Sequence, residues 1–139
     1  MKKKSRKVWV FTPPKATFTS EKKELYLAKL EAFLATEVRP HIKAPPATNP
    51  HRFNYRTGVS TRAKSRFLYI TAQWASPHPK AISETFETNE FRFEFVGNDR
   101  FDVAYMRHTE KFFTISTDLS FEEALERIRT MPHFTLLFI

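Results

Sequence analysis

FRFEFVGNDRFDVAY, residues 91–105, decides the fold class. Phe91, Phe93 and Phe95 alternate with Arg92 and Glu94, and Phe101, Val103 and Tyr105 form a second alternating set. A period of two is the period of a strand, whose successive side chains point to opposite faces. Apolar residues on one parity and charges on the other mark an antiparallel sheet with one face buried. Gly97-Asn98-Asp99 joins the two runs with residues that tolerate positive φ, so the chain turns back as a hairpin.

Reading downstream, a turn around His108 to Lys111 leads to a third strand, Phe112 to Ser116. Ser120 followed three residues later by Glu123 is a capping box that opens a helix. Phe121, Ala124, Leu125 and Ile128 share one face of it, and Pro132 closes it. The apolar run Phe134 to Ile139 reads as a further strand. Upstream, Pro77 and Pro79 break the chain, and residues 52–59 and 66–75 alternate as two more strands joined through Ser60 to Ser65. In the first, Arg52, Asn54 and Arg56 oppose Phe53, Tyr55, Thr57 and Val59. In the second, Phe67, Tyr69, Thr71 and Gln73 oppose Leu68, Ile70, Ala72 and Trp74.

PHIKAPPATNP, residues 40–50, carries four prolines in eleven positions and reads as a stiff connector; a PxxP-type groove ligand is the other reading. Before it, Leu27, Leu30, Leu34 and Val38 form the stripe of an amphipathic helix. Ser20 is placed to cap that helix and Pro40 to stop it. Val8 to Phe11 is a short β-prone run ended by Pro13-Pro14. The expectation is an α+β domain over residues 8–139, a single mainly antiparallel sheet with two amphipathic helices packed on it. Residues 1–7, MKKKSRK, precede it as a disordered basic tail.

One domain suits a chain of 139 residues, which buries roughly two thirds of the surface its unfolded form exposes. Fifteen Phe supply much of the core material. The absence of Cys excludes disulfides, thiolate nucleophiles and Cys-based metal sites. No secretory pattern and no apolar run of the ~20 residues needed to span a membrane occur, so a cytoplasmic protein off the membrane is expected.

The net charge of +8 is uneven. Residues 1–37 hold nine basic and four acidic side chains, residues 38–83 eight basic and none acidic, residues 84–139 six basic and eleven acidic. Without the tail the body carries +3. A basic middle attracts polyanions or acidic proteins by long-range field and counterion release.

Enzyme chemistry has little purchase. His41, His51, His78, His108 and His133 are never three or four residues apart, so no helix presents a metal-binding pair. The acids Glu84, Glu87, Glu90, Glu94, Asp99 and Asp102 alternate with basic residues as on the solvent face of a sheet. Two glycines allow no phosphate-cradling loop, and no G-x-S-x-G occurs. No cofactor is implied. Arg107 and His108 on one turn form a possible anion site, the place where an enzymatic alternative would sit.

KVWVFTPPK, RFNY, FLYITAQWASPHPKAISETFE and FRFEFVGNDRFDVAYMRHTEKFF resemble a family of short uncharacterised bacterial proteins, a domain of unknown function. The similarity runs from about Lys7 to the second helix, and MRHT, Met106 to Thr109, is among its most specific stretches. The family pattern implies cysteines where this chain has Thr71 and Ser76, so metal or redox work at those positions is not open here. The resemblance implies one ordered domain and no activity.

RFNYRTGVSTRAKSRFLY, residues 52–69, then becomes the functional question. Arg52, Arg56, Arg62, Lys64 and Arg66, with Lys2, Lys3 and Lys4 of the tail, are the candidate nucleic-acid-binding residues. If the side of Phe53 and Tyr55 is core, the exposed side shows Arg52, Asn54 and Arg56, which would contact phosphates and read little sequence. The RNA-recognition fingerprint is absent. A solvated basic hairpin and a protein-interaction module, its acidic back meeting a basic middle, are the competing readings.

Overall fold

The computed structural model describes residues 17–45, 47–107 and 110–132. The basic tail, the Val8–Phe11 strand, His108 and the Phe134–Ile139 strand lie outside the described residues. The described elements are helix α1 (Ser20–Glu37), a short 3-10 turn (Arg39–His41), strands β1 (Tyr55–Lys64), β2 (Phe67–Ala75), β3 (Thr85–Gly97), β4 (Arg100–Met106) and β5 (Phe112–Ser120), and helix α2 (Phe121–Arg129). The five strands pair antiparallel in the order β1-β2-β3-β4-β5. The molecule is the expected α+β fold, one meander with two helices on it.

Both helices lie on one face. That face carries Val59 of β1, Leu68, Ile70 and Ala72 of β2, Phe91, Phe93 and Phe95 of β3, and Phe101 and Val103 of β4, all buried. Helix α1 adds Tyr26, Leu30, Phe33 and Leu34, with Val38 just beyond it; α2 adds Phe121, Ala124, Leu125 and Ile128. Aromatic rings join the layers: Tyr26 meets Phe101 edge-on at 4.9 Å, Phe93 stacks on Phe121 at 5.6 Å, and Phe18 stacks on Phe95 at 4.5 Å. Each of these rings removes a large apolar area from water.

Local chemistry explains the boundaries. Thr19, not Ser20, caps α1, its hydroxyl accepting from the Lys22 amide at 3.2 Å. Ser20 is the first helical residue because the hydroxyl one position earlier already satisfies the open amide. The capping box of α2 is present at Ser120 and Glu123. The β3–β4 turn is Asn98-Asp99, with φ of 52° and 56°, the left-handed pair that suits strand twist.

The β1–β2 connection departs from expectation. The strand continues through Ser60 to Lys64, and only Ser65 and Arg66 make the turn, with Ser65 at φ 57°. Thr61 and Ala63 face the helices while Ser60, Arg62 and Lys64 face water, so the polar residues taken for a loop are one parity of a strand. β1 also begins at Tyr55, leaving Arg52 and a 68%-exposed Phe53 in the connector.

Candidate functional site

The face of the sheet away from the helices is open among the described residues. Its central row runs Arg62 (β1), Tyr69 (β2), Arg92 (β3), Ala104 (β4) and Thr114 (β5). Beside it lie Lys64 and Phe67 on one side and Met106 and Phe112 on the other. Tyr69 stands 6.1 Å from Phe67 and 6.0 Å from Phe112, each tilted to it by about 45°. The Arg92 guanidinium lies 4.7 Å from the Phe67 ring and 4.4 Å from the Phe112 ring, and that of Arg62 is 5.3 Å from Tyr69. Arg92 reaches Phe112 across β4 because the intervening residue is the small Ala104. Such cation–π contacts are worth about 0.5–1 kcal/mol each at exposed sites.

The cations of this platform are not held in salt bridges with described residues. Among the described residues Arg62, Lys64 and Arg92 make no ion pair with a carboxylate. Arg62 donates only to the Asn89 amide oxygen, at 3.2 Å. Three acids share the face, Glu94 on the central strand beside Arg92 and Phe67, Glu87 and Asp102 farther out. Gln73 donates to Glu87 at 3.2 Å, Asp102 accepts from the Asp118 amide at 2.9 Å, and Glu94 pairs across the sheet with Asp102 and Phe67. Ser60, Thr71 and Gln73 form a closed polar ladder next to the rings, Ser60 and Thr71 at 2.9 Å and Gln73 donating to Ser60 at 2.8 Å.

The five predicted cations of residues 52–66 do not converge. Arg62 and Lys64 share the open face. Arg56 is on the opposite one, 7% exposed, with its guanidinium 4.6 Å from the Trp74 ring. A bulge at Thr57, between the Arg56–Trp74 and Gly58–Gln73 pairs, inserts one residue into β1 and reverses the parity upstream of it. Desolvation lowers the Arg56 pKa, opposed by the charge of Glu90. Arg52 precedes the strand, exposed and at φ 57°. Arg66 is tied to the turn: its Nη1 donates to the Phe95 carbonyl at 3.0 Å, and its own carbonyl accepts from the Phe95 amide at 2.8 Å. Lys2, Lys3 and Lys4 lie outside the described residues.

For β2 the sequence left open which of the two sets is buried. Leu68, Ile70 and Ala72 are the buried set; Phe67 and Tyr69 are half-exposed beside the cations. Arg92 is the member that sequence reasoning missed. It was one sign of an alternating charged face, whereas in space it sits among three rings. Aliphatic residues on one parity of β2 and rings on the other was the available signal.

Arg107 is exposed, 5.1 Å from the Phe113 ring, at a turn closed by its amide and carbonyl with Lys111 and Glu110. His108 lies outside the described residues. Two depressions occur elsewhere: about 490 Å³ lined by Ala75 to Pro79 and Ala81 to Glu84, and about 250 Å³ lined by Leu119, Glu123, Glu126, Arg127 and Thr130. Among the described residues no three His, Asp or Glu side chains are grouped to hold a metal ion, and no helix is long and apolar enough to cross a membrane.

The chain belongs to the family described as Domain of unknown function (DUF3024), whose model matches residues 17–136. That span contains all five strands and both helices. No curated protein and no solved structure matches the chain.

Proposed function

We propose that the protein is a non-catalytic nucleic-acid-binding module whose contact surface is the open face of the sheet. The observation that supports this reading is the set Arg62, Lys64 and Arg92, three cations on one wall with no carboxylate partner among the described residues. Phosphates neutralised there release counterions, which makes binding favourable and salt-dependent. The tail lysines Lys2, Lys3 and Lys4 add non-specific attraction in this reading.

The test is fluorescence anisotropy of a labelled oligonucleotide against salt, using the full chain. Affinity is expected to fall linearly on logarithmic axes as salt rises. Replacing Arg62, Lys64 or Arg92 by Ser is expected to shallow the slope by about 0.7–0.9 for each phosphate left without its cation. Lys29→Ser on α1, exposed and on the helix side, is the charge control. Binding abolished by replacing Lys2, Lys3 and Lys4 but untouched by the open-face substitutions moves the function to the tail.

A protein-interaction reading has one observation in its favour. β5 is an edge strand with no further strand beyond it among the described residues, and Phe113 on it is 47% exposed. Its register breaks twice against β4, and such bulges blunt an edge against added strands, which makes this the weaker reading.

A further inference from the structure

We infer that the nucleic acid bound by the open face is single-stranded, held by base stacking on Tyr69, Phe67 and Phe112 as well as by phosphate contact. The inference rests on the nucleic-acid reading above and specifies its ligand.

A duplex keeps its base faces against one another and offers a protein only phosphates and groove edges. A wall of rings has nothing to stack on there. A single strand offers both a charged backbone and exposed base faces, and every base has one. Ring spacing carries the argument further. Bases stacked along one strand of a duplex rise about 3.4 Å each. The rings here are 6.0 and 6.1 Å apart and mutually tilted by 47° and 45°, so they are separate steps. They suit a strand drawn out until neighbouring bases no longer touch, each resting on its own ring. Arg92 lies over the Phe67 and Phe112 rings and Arg62 over Tyr69, so a base entering there meets a planar guanidinium that it can stack on and that attracts its phosphate.

The same face predicts weak sequence preference. Base identity is read by hydrogen bonds to base edges. Several polar groups beside the rings are already committed: Ser60, Thr71 and Gln73 to one another, and Asn89 to Arg62. Stacking without edge readers is tolerant of sequence.

Tyr69→Trp in the full chain places a fluorophore on the wall, and its emission is read against that of the parent. Titration with an oligo-dT strand is expected to quench it; a duplex of equal length and inorganic polyphosphate, at equal salt, are expected to bind weakly and leave the emission unchanged. Oligo-dA is expected to bind within a few-fold of oligo-dT. Tyr69→Ala is expected to lose roughly five- to 150-fold in affinity for the single strand with little change for polyphosphate. Tyr69→Phe keeps the ring and is expected to keep the affinity. Because Tyr69 is half-buried, Phe112→Leu serves as a second ring deletion that retains apolar area. Equal binding of duplex and single strand, with Tyr69→Ala and Phe112→Leu unaffected, overturns this inference and leaves the nucleic-acid reading standing. No binding of any of these polyanions at low salt overturns both.

Discussion

The two faces of the sheet treat the same side chain differently. On the helix side Arg129 holds Glu37 through two bonds of 2.6 Å and Glu126 at 3.0 Å, joining α2 to α1. Arg39 pairs with Glu31 and also donates to the Val59 carbonyl at 2.9 Å, which ties the end of α1 to one carbonyl of the edge strand β1. Lys22 and the Tyr26 hydroxyl both bond Asp99, at 3.0 and 2.9 Å. On the open side Arg62, Lys64 and Arg92 face rings and water. Cations bonded to acids from distant parts of the chain belong to the architecture. Cations with no acid partner among the described residues, on a wall that no described element covers, are what the proposed binding surface rests on.

Substitution separates the two faces most sharply in the core. Phe101→Ala, beneath both helices, is expected to cost about 3–5 kcal/mol, whereas Phe112→Ala on the open wall is expected to cost under about 1 kcal/mol. Urea unfolding midpoints, read with an unchanged slope, check the pair; equal destabilisation erases the distinction between a structural and a presenting face.

Next in size is the bridge between the helices. Arg129→Ala is expected to destabilise by roughly 1 kcal/mol, since both partners are about one-third exposed and solvent screens the pair. A double-mutant cycle with Glu37→Gln isolates the coupling. A value near zero would mean the bridge is incidental to helix packing.

Acid reads the same contacts more gently. Hydrogen bonding to Arg129 lowers the Glu37 pKa from 4.5, and hydrogen bonds from Lys22 and then Tyr26 lower that of Asp99 from 3.8. A carboxylate with a depressed native pKa contributes stability above its unfolded value and loses it as pH falls through the native one. The unfolding midpoint is therefore expected to decline below about pH 4.5, and Glu37→Gln to flatten part of that decline by under about 1 kcal/mol. A midpoint indifferent to this substitution contradicts the assignment. At the other end of the scale, burial, then the bond to Asp99, raises Tyr26 to about 12, so it stays neutral where an unfolded tyrosine ionises.

The smallest expected effect is the most informative. Lys64→Ser is expected to change stability by no more than about 0.5 kcal/mol, and Arg62→Ser, which loses its contact with Tyr69, by under about 1 kcal/mol, while both weaken oligonucleotide binding. Destabilisation by more than about 1 kcal/mol would place these residues with Arg129 on the structural side.

The fold was legible where local chemistry and periodicity agree. Phe91, Phe93 and Phe95 are buried on one parity, Asn98-Asp99 turns with positive φ, and Ser120 with Glu123 boxes the second helix. The open wall was legible only in part. Parity arithmetic assumes an unbroken strand, and the Thr57 bulge carries Arg56 to the other face; Gly58, isolated in a strand pattern next to it, was the available signal. In β2 both parities are apolar, so periodicity alone could not say that Leu68 and Ile70 are core while Phe67 and Tyr69 face outward. Arg92 acquires meaning through Phe67 and Phe112, both remote in sequence, the second lying across an intervening strand.

The most direct measurement is a backbone and side-chain chemical-shift map of the full chain titrated with a short single strand. The perturbations are expected to cluster at Arg62, Lys64, Tyr69, Arg92 and Phe112, with Arg39, Glu37 and Arg129 undisturbed. Shifts confined to the helix side, or none at saturating oligonucleotide and low salt, would contradict the assignment of the open sheet face as the binding surface.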